Sequence, residues 1–332
     1  MEEFCKDLPK IELHAHLNGS LSEKTLKDLG CHYDSISKYS NEQGRNLKVC
    51  FEVFKLAHNV TKTKEAIYLA TCSVIEEFYQ DNVVYLEIRT TPRQETEMSK
   101  QEYIETVVSA IKSNTNDILV KLILSIDRRH DQKTSNEALD LIIQMKQKYP
   151  DIIKGVDLSG DPVVGEFDKE LFIRATKAGL QLALHCAEVK NDEEVCEILK
   201  FKPDRIGHGT CIHPQYNGNE ANWMLYKEMK IPLECCLTSN VICETSKSYE
   251  QHHIREWLEN GFPFCVCTDD KGVFSTSASK EYFILGNTFK LNPMDLWTIS
   301  YNTIDYIFCN NDEKIKLKEK LTKWKSENSK WF

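Results

Sequence analysis

The sequence predicts a (β/α)8 TIM barrel with extra helices, and three observations carry that expectation. Eight short apolar, β-branched runs recur along the 332 residues. Most are separated by a longer stretch of helical period. The runs are near-continuously apolar, as in a parallel sheet covered on both faces. Eight βα units in one chain point to a closed barrel rather than an open sheet.

The runs are Lys10–Leu17, Val83–Arg89, Leu119–Asp127, Ile153–Leu158, Leu180–Cys186, Arg205–His208, Pro232–Leu237 and Phe264–Thr268. Between them, Ala66–Tyr79 sets Ile67, Ala70, Val74, Ile75 and Phe78 on one helical face, and Glu137–Tyr149 does so with Leu139, Leu141, Ile142 and Met145. The longest irregular insertion, about residues 18–50, is either a surface decoration or a lid over the barrel mouth. The segment Glu313–Lys330 is Lys-rich and reads as a solvated helix. With no linker, repeat or low-complexity stretch, residues 1–332 are expected to form one barrel domain.

The formal net charge of −9, with 51 acids against 42 bases, argues against nucleic acid or an acidic membrane as partner. A small anionic ligand needs only a local positive pocket. The thirteen cysteines are odd in number, spread out and without a C-x-x-C pair, which fits reduced, buried thiols in the cytoplasm rather than a disulfide framework. The opening MEEFCKDLPK is charged and has no apolar core like that of a signal peptide. No apolar run is long enough to span a bilayer.

Most of the unusual polar residues fall at the C-terminal ends of the expected strands, where enzymes of this architecture build their sites. Strand 1 ends in His14-Ala15-His16, and the two-residue period turns both imidazoles to one face. Strand 5 ends in His185, three residues before Glu188; strand 6 ends in Gly207-His208-Gly209; strand 8 ends in Asp269-Asp270. Each alone has a structural explanation, a hydrogen-bonded strand-end histidine or an Asp helix cap. Together, so many polar groups buried without partners would cost several kcal/mol, and a metal offsets that cost. His14, His16, His185 and Asp269 offer three nitrogens and one carboxylate oxygen, a set that suits one Zn²⁺ with a reactive water. Glu188 and His208 remain as candidate acid and base.

The segments ELHAHLNGS, EIRTTPR, DLSGDP, LALHCAE, RIGHGT, LECCLTSN and CTDDKGVF together resemble the adenosine deaminase family. The resemblance covers nearly the whole chain, in order, and is closest to the adenosine-deaminase-like branch that acts on N6-methyl-AMP. It implies a barrel of the metal-dependent hydrolase type, a monomer, and hydrolysis at C6 of an adenine ring. It implies that His14, His16, His185 and Asp269 bind zinc and that Glu188 gives a proton to purine N1. It implies that His208 orients or deprotonates the attacking water, that the Gly160 N–H bonds N3, and that Asp270 contacts N7.

One departure bears on the substrate. Adenosine deaminases proper carry HAHLDG, whose Asp meets a free 5′-hydroxyl; here position 18 is Asn. An Asp would repel a 5′-phosphate, whereas Asn18 can donate to it. Thr90, Thr91, Pro92 and Arg93 offer hydroxyls, backbone donors and a guanidinium as a phosphate clamp, and Lys271 adds a cation unless it is an ordinary surface charge. His58 follows Phe51 and Phe54 on one helical face and either walls the base or ribose or simply ends a packed helix. Asp127 holds a ribose hydroxyl or pairs with Arg128 or Arg129. His252-His253 and most cysteines read as structural.

The expected activity is therefore conversion of N6-methyl-AMP to IMP and methylamine. The alternatives are plain adenosine or AMP deamination and, with less support, a non-catalytic purine-binding protein. A binuclear barrel hydrolase would carry a lysine at the end of strand 4, and DLSGDP offers none. The cytidine-deaminase fold needs H-x-E with P-C-x-x-C, motifs this sequence does not contain.

Overall fold

A computed structural model of the chain describes residues 1–32 and 47–332. The expected lid at residues 18–50 lies partly outside the described residues, since 33–46 fall there.

Eight parallel strands follow one another in space as in sequence: β1 Lys10–His16, β2 Val83–Thr90, β3 Leu119–Asp127, β4 Ile153–Ser159, β5 Gln181–Cys186, β6 Arg205–His208, β7 Leu233–Cys235 and β8 Phe264–Val266. The barrel closes at residues expected to do chemistry. The Asp269 N–H donates to the His14 carbonyl at 2.8 Å, and the His16 N–H donates to the Asp269 carbonyl at 3.0 Å. β7 and β8 are shorter than their apolar runs suggest. A helix, Leu237–Ile242, starts directly after β7, and beyond β8 the Thr268 N–H is taken by the Glu12 carboxylate.

The surrounding helices form where their caps and apolar periods dictate. Lys64–Gln80 starts on the Thr63 hydroxyl, which accepts from the Ala66 N–H, and buries Ile67, Ala70, Thr71, Val74, Ile75 and Phe78 along one stripe. Lys100–Ser113 opens with a reciprocal capping box between Ser99 and Glu102. Gln132–Lys148 buries Leu139, Ile142 and Met145.

One expectation needs correction. The Lys-rich C-terminal helix, Asn311–Glu327, is not simply solvated: Leu317 and Leu321 are buried. They join Ile11, Leu13, Val84 and Tyr85 in one apolar cluster. Its lysines occupy the outer face and leave a two-leucine stripe for the barrel.

Candidate active site

Inside the barrel lies a charged layer that a scan for apolar runs passes over. Glu12, Glu87, Arg89, Asp157, Arg205 and Glu234 are all fully buried strand residues. Arg89 donates to Glu234 at 2.7 Å and to the Leu13 carbonyl at 2.7 Å, and lies 3.6 Å from Asp157. Arg205 donates to Glu234 at 2.7 Å and pairs with Glu87. Burial opposes the charge on Glu234 and Asp157. Even so, Arg89 and Arg205 beside Glu234, and His185 and Arg89 beside Asp157, hold both well below the usual carboxylate range. Glu12 behaves differently: burial pushes it up to about 7.

Above this layer the histidines converge. His14 Nδ1 is 2.6 Å from Glu234 Oε2, and His185 Nδ1 is 2.8 Å from Asp157 Oδ1. Each ionised carboxylate takes the Nδ1 proton, so both rings turn Nε2 toward the barrel axis. His14 Nε2 is buried with no hydrogen-bond partner and lies 3.5 Å from Asp269 Oδ1. His16 Nε2 is 3.3 Å from His185 Nε2 and 3.4 Å from the same Asp269 oxygen. Asp269 is steadied by the Ser239 hydroxyl at 2.7 Å. His208 Nε2 stands 3.4 Å from Glu188 Oε1 and 3.9 Å from Asp269 Oδ2.

This arrangement fits a metal ion. One atom each from His14, His185, His208 and Asp269 lie within 4.8 Å of one another, and His16 adjoins them. Glu87, Asp157, Glu234 and Asp269 bring four carboxylates against two guanidiniums, Arg89 and Arg205. Burial and Arg89 both oppose a charge on His14, yet Glu234 and Asp269 push it up to about 9, which marks a place that attracts positive charge. Burial dominates at His16 and drives it well below the usual histidine range, so that ring is neutral and its lone pair available. With His16 the cluster offers five donors, one more than the expected set of three histidines and one aspartate.

The backbone is shaped around these groups. Ala187, His208 and Asp269 adopt left-handed φ of 58°, 64° and 59°, at a cost on the order of 1–3 kcal/mol each. Asp270 lies against Gly19, where an added Cβ would come within 1.5 Å of its Oδ1. Burial and the neighbouring Asp269 and Glu188 raise Asp270 well above the usual carboxylate range. Gly160, at φ 109°, leaves no room for a Cβ, which would meet Asp127 at 2.4 Å. Gly160, His185 and Glu188 line one pocket.

A second polar group forms where the HLNGS and TTPR segments meet. The Tyr103 hydroxyl lies 2.7 Å from Thr90 Oγ1 and is also engaged by Asn18 and Arg93. Thr91 Oγ1 is 3.4 Å from Ser159 Oγ, one residue before Gly160, and Pro92 is buried. Arg93 bonds Glu95 at 2.9 Å and the Thr61 hydroxyl at 2.7 Å, while its Nη1 is buried and unpartnered, as is Asn18 Oδ1. His58 is exposed within electrostatic reach of Arg93.

Two expected substrate contacts are engaged elsewhere. The Lys271 ammonium pairs with Glu77 and lies over the Phe78 ring at 5.2 Å, so it is not the free cation expected of it. Arg129 grips both oxygens of Asp127, the structural alternative for that residue. Phe51 is 58% exposed and Phe54 packs on the core, so the expected Phe51–Phe54–His58 face is not one continuous wall. The strands' inward charges are single residues inside runs that are otherwise apolar. A carboxylate or guanidinium midway along a strand buried on both faces is itself the signal, as in IELHAH, YLEIRT, GVDLSG and PLECC.

Comparison with known proteins agrees with this geometry. The adenosine deaminase family model matches residues 9–324. N6-methyl-AMP deaminase-L of Xenopus laevis is 43% identical, covering 96% of this chain and 94% of its own. The human N6-methyl-AMP deaminase is 40% identical with the same coverages. The crystal structure of arabidopsis ADAL complexed with IMP superposes with a TM-score of 0.87 at 34% identity, covering 98% of this chain and 99% of that one. Among the described residues no helix is long and apolar enough to cross a membrane. With a barrel of matching form, a His/Asp cluster at its mouth and relatives of this identity over nearly its full length, the chain belongs to the adenosine deaminase family and is a hydrolase of C–N bonds in amidines.

Proposed function

We propose that this chain is a zinc-dependent purine nucleotide aminohydrolase that converts N6-methyl-AMP to IMP and methylamine. The observation that carries the nucleotide part is the second polar group. Asn18, Thr90 and Arg93 gather around Tyr103 with the Arg93 Nη1 donor buried and unpartnered, next to a strand whose His14 and His16 face the candidate metal site. That combination suits a phosphate at one end of a ligand and a reacting ring at the other.

His14, His16, His185 and Asp269 would hold the zinc. When bound, it supplies Lewis acidity that brings a water's pKa toward neutrality. Everything else falls to the protein. Water adds across C6 and N1: its oxygen goes to C6, Glu188 gives N1 the proton without which that nitrogen would have to carry negative charge, and the Glu188 carboxylate so formed takes up the proton the water sheds. His208, beside Glu188, orients the water. The Gly160 N–H donates to N3. N7 offers a lone pair, so Asp270 serves it as a protonated carboxyl. The C6–N6 bond then breaks, methylamine leaves with a proton, and the C6 oxo group remains. Asn18, Thr90, Thr91, Pro92 and Arg93 seat the 5′-phosphate, with His58 at the edge. The thirteen free thiols fit a reducing cytoplasm, where one chain with one metal would suffice.

The test is turnover of N6-methyl-AMP, AMP and adenosine by the zinc-loaded protein. Release of methylamine and IMP, with little adenosine turnover, supports the proposal. Adenosine as best substrate overturns the phosphate assignment. No purine turnover with zinc bound overturns the deaminase assignment.

A further inference from the structure

His14 and His185 give Nδ1 to carboxylates and so present a lone pair on Nε2. His208 is held the opposite way. Its Nδ1 lies 3.3 Å from the side-chain nitrogen of Asn240, and the orientation of that amide is set from further out. The Ile254 N–H donates to His252 Nδ1 at 3.1 Å. His252 therefore carries its proton on Nε2, which donates to Asn240 Oδ1 at 3.1 Å. With its oxygen engaged there, Asn240 turns its amino group to Thr245 Oγ1, at 3.1 Å, and to His208. His208 Nδ1 is left as the acceptor, so the ring's hydrogen sits on Nε2, facing the site.

Reversing the amide would set its N–H groups against the Nε2–H of His252. Asn240, His252 and His208 are all buried, so two opposed donors there would carry an unrelieved desolvation cost. The neighbouring His253 secures the backbone: its Nε2 bonds the His208 carbonyl at 2.8 Å, at the residue whose φ is 64°. The His252-His253 pair, which looks like packing in the sequence, thus holds both the ring and the main chain of His208.

We infer that Asn240 and His252 are positioning residues that fix His208 as its Nε2–H tautomer. A nitrogen that carries hydrogen cannot ligate a metal, so His16 rather than His208 completes the ligand set. The same hydrogen makes His208 a donor to the oxygen of the attacking water, which selects orientation over proton removal. This assignment rests on the deaminase reading for its catalytic meaning but not for the tautomer itself.

The experiment labels the histidine ring nitrogens with 15N and reads them by NMR in the zinc-loaded protein, alongside steady-state kinetics on N6-methyl-AMP. In the wild type, His208 Nε2 should carry the proton and Nδ1 should not. In Asn240→Asp the new carboxylate accepts from Nδ1 and the tautomer reverses. That variant should lose about 10²-fold in kcat with KM little changed. His252→Gln, which keeps a donor for Asn240, should retain most of kcat, whereas His252→Leu should not; this pair decides the matter if Asn240→Asp fails to fold. A proton on His208 Nδ1 in the wild type overturns the inference, as does equal activity in His252→Gln and His252→Leu. If the wild type turns over no purine, the deaminase reading falls, and the tautomer is still decided by the spectrum.

Discussion

His14 Nδ1 donates to Glu234 Oε2 across 2.6 Å, with neither side chain exposed. Glu234 also takes hydrogen bonds from Arg89 and Arg205. One carboxylate thus orients a candidate metal ligand and balances two guanidiniums. Glu234→Gln keeps the shape and removes the charge. Metal affinity should fall about 10- to 100-fold, measured by competition with a chromophoric chelator. Stability should drop by about 3–5 kcal/mol, because two buried arginines lose their shared counter-charge; urea unfolding reads this. Unchanged zinc affinity would show that Glu234 does not orient His14.

Glu188 stands beside His208 at 3.4 Å and is partly exposed to the site. If it supplies the N1 proton, Glu188→Gln should keep zinc and fold while kcat on N6-methyl-AMP falls about 10²–10⁴-fold. Metal content and thermal unfolding measured on the same sample separate this from collapse of the site. A loss of less than tenfold would remove Glu188 from the proton transfer.

The barrel was legible because strands covered on both faces leave an apolar signature that recurs eight times. The candidate ligands stood out because His14, His16, His185 and Asp269 sit at the ends of those runs. The helix ends were less so, as Glu313–Lys330 illustrates: composition emphasised its lysines and concealed Leu317 and Leu321. The layer that orients the ligands was missed for a physical reason. Glu234 and Arg89 matter through partners on other strands, 145 positions apart in sequence, and no local pattern encodes a pairing at that range. Lys271 shows the converse: the motif gave its position, but only the fold reveals that Glu77 takes its charge.

Asn18 gives the sharpest test of the phosphate assignment. A carboxylate about 4 Å from a phosphate charge is repelled by roughly 4 kcal/mol at an effective dielectric near 20. Side-chain rotation and water relieve part of that. Asn18→Asp should therefore cut kcat/KM for N6-methyl-AMP by about 10²-fold while leaving N6-methyladenosine turnover little changed. Arg93→Ala should act in the same direction through loss of binding, raising KM more than it lowers kcat. Equal losses on nucleotide and nucleoside would mean that neither residue meets the phosphate.

Lys10 opens β1 with no exposed surface, and its ammonium donates to the Cys5 and Leu8 carbonyls at 2.8 Å and to the Lys6 carbonyl at 3.4 Å. Burial lowers its pKa from 10.5 to about 8. The sign of the linkage follows. Between pH 8 and 10.5 the unfolded chain holds this proton and the folded chain does not, so folding gains stability as pH rises through that window. Below pH 8 both states are protonated and the contribution is flat. The difference in unfolding free energy between wild type and Lys10→Met should therefore shift in favour of the wild type by up to about 1.4 kcal/mol per pH unit across the window. Its total has an upper bound of about 3 kcal/mol, because the three carbonyls offset part of the desolvation. Lysines and thiols remote from Lys10 titrate in both proteins and cancel in the difference; Cys5, whose thiol feels the Lys10 charge, is replaced by Ser in both proteins. Urea titrations from pH 7 to 11 on the two proteins make the measurement. A difference that stays flat between pH 8 and 10.5 would mean that the carbonyls fully compensate the burial.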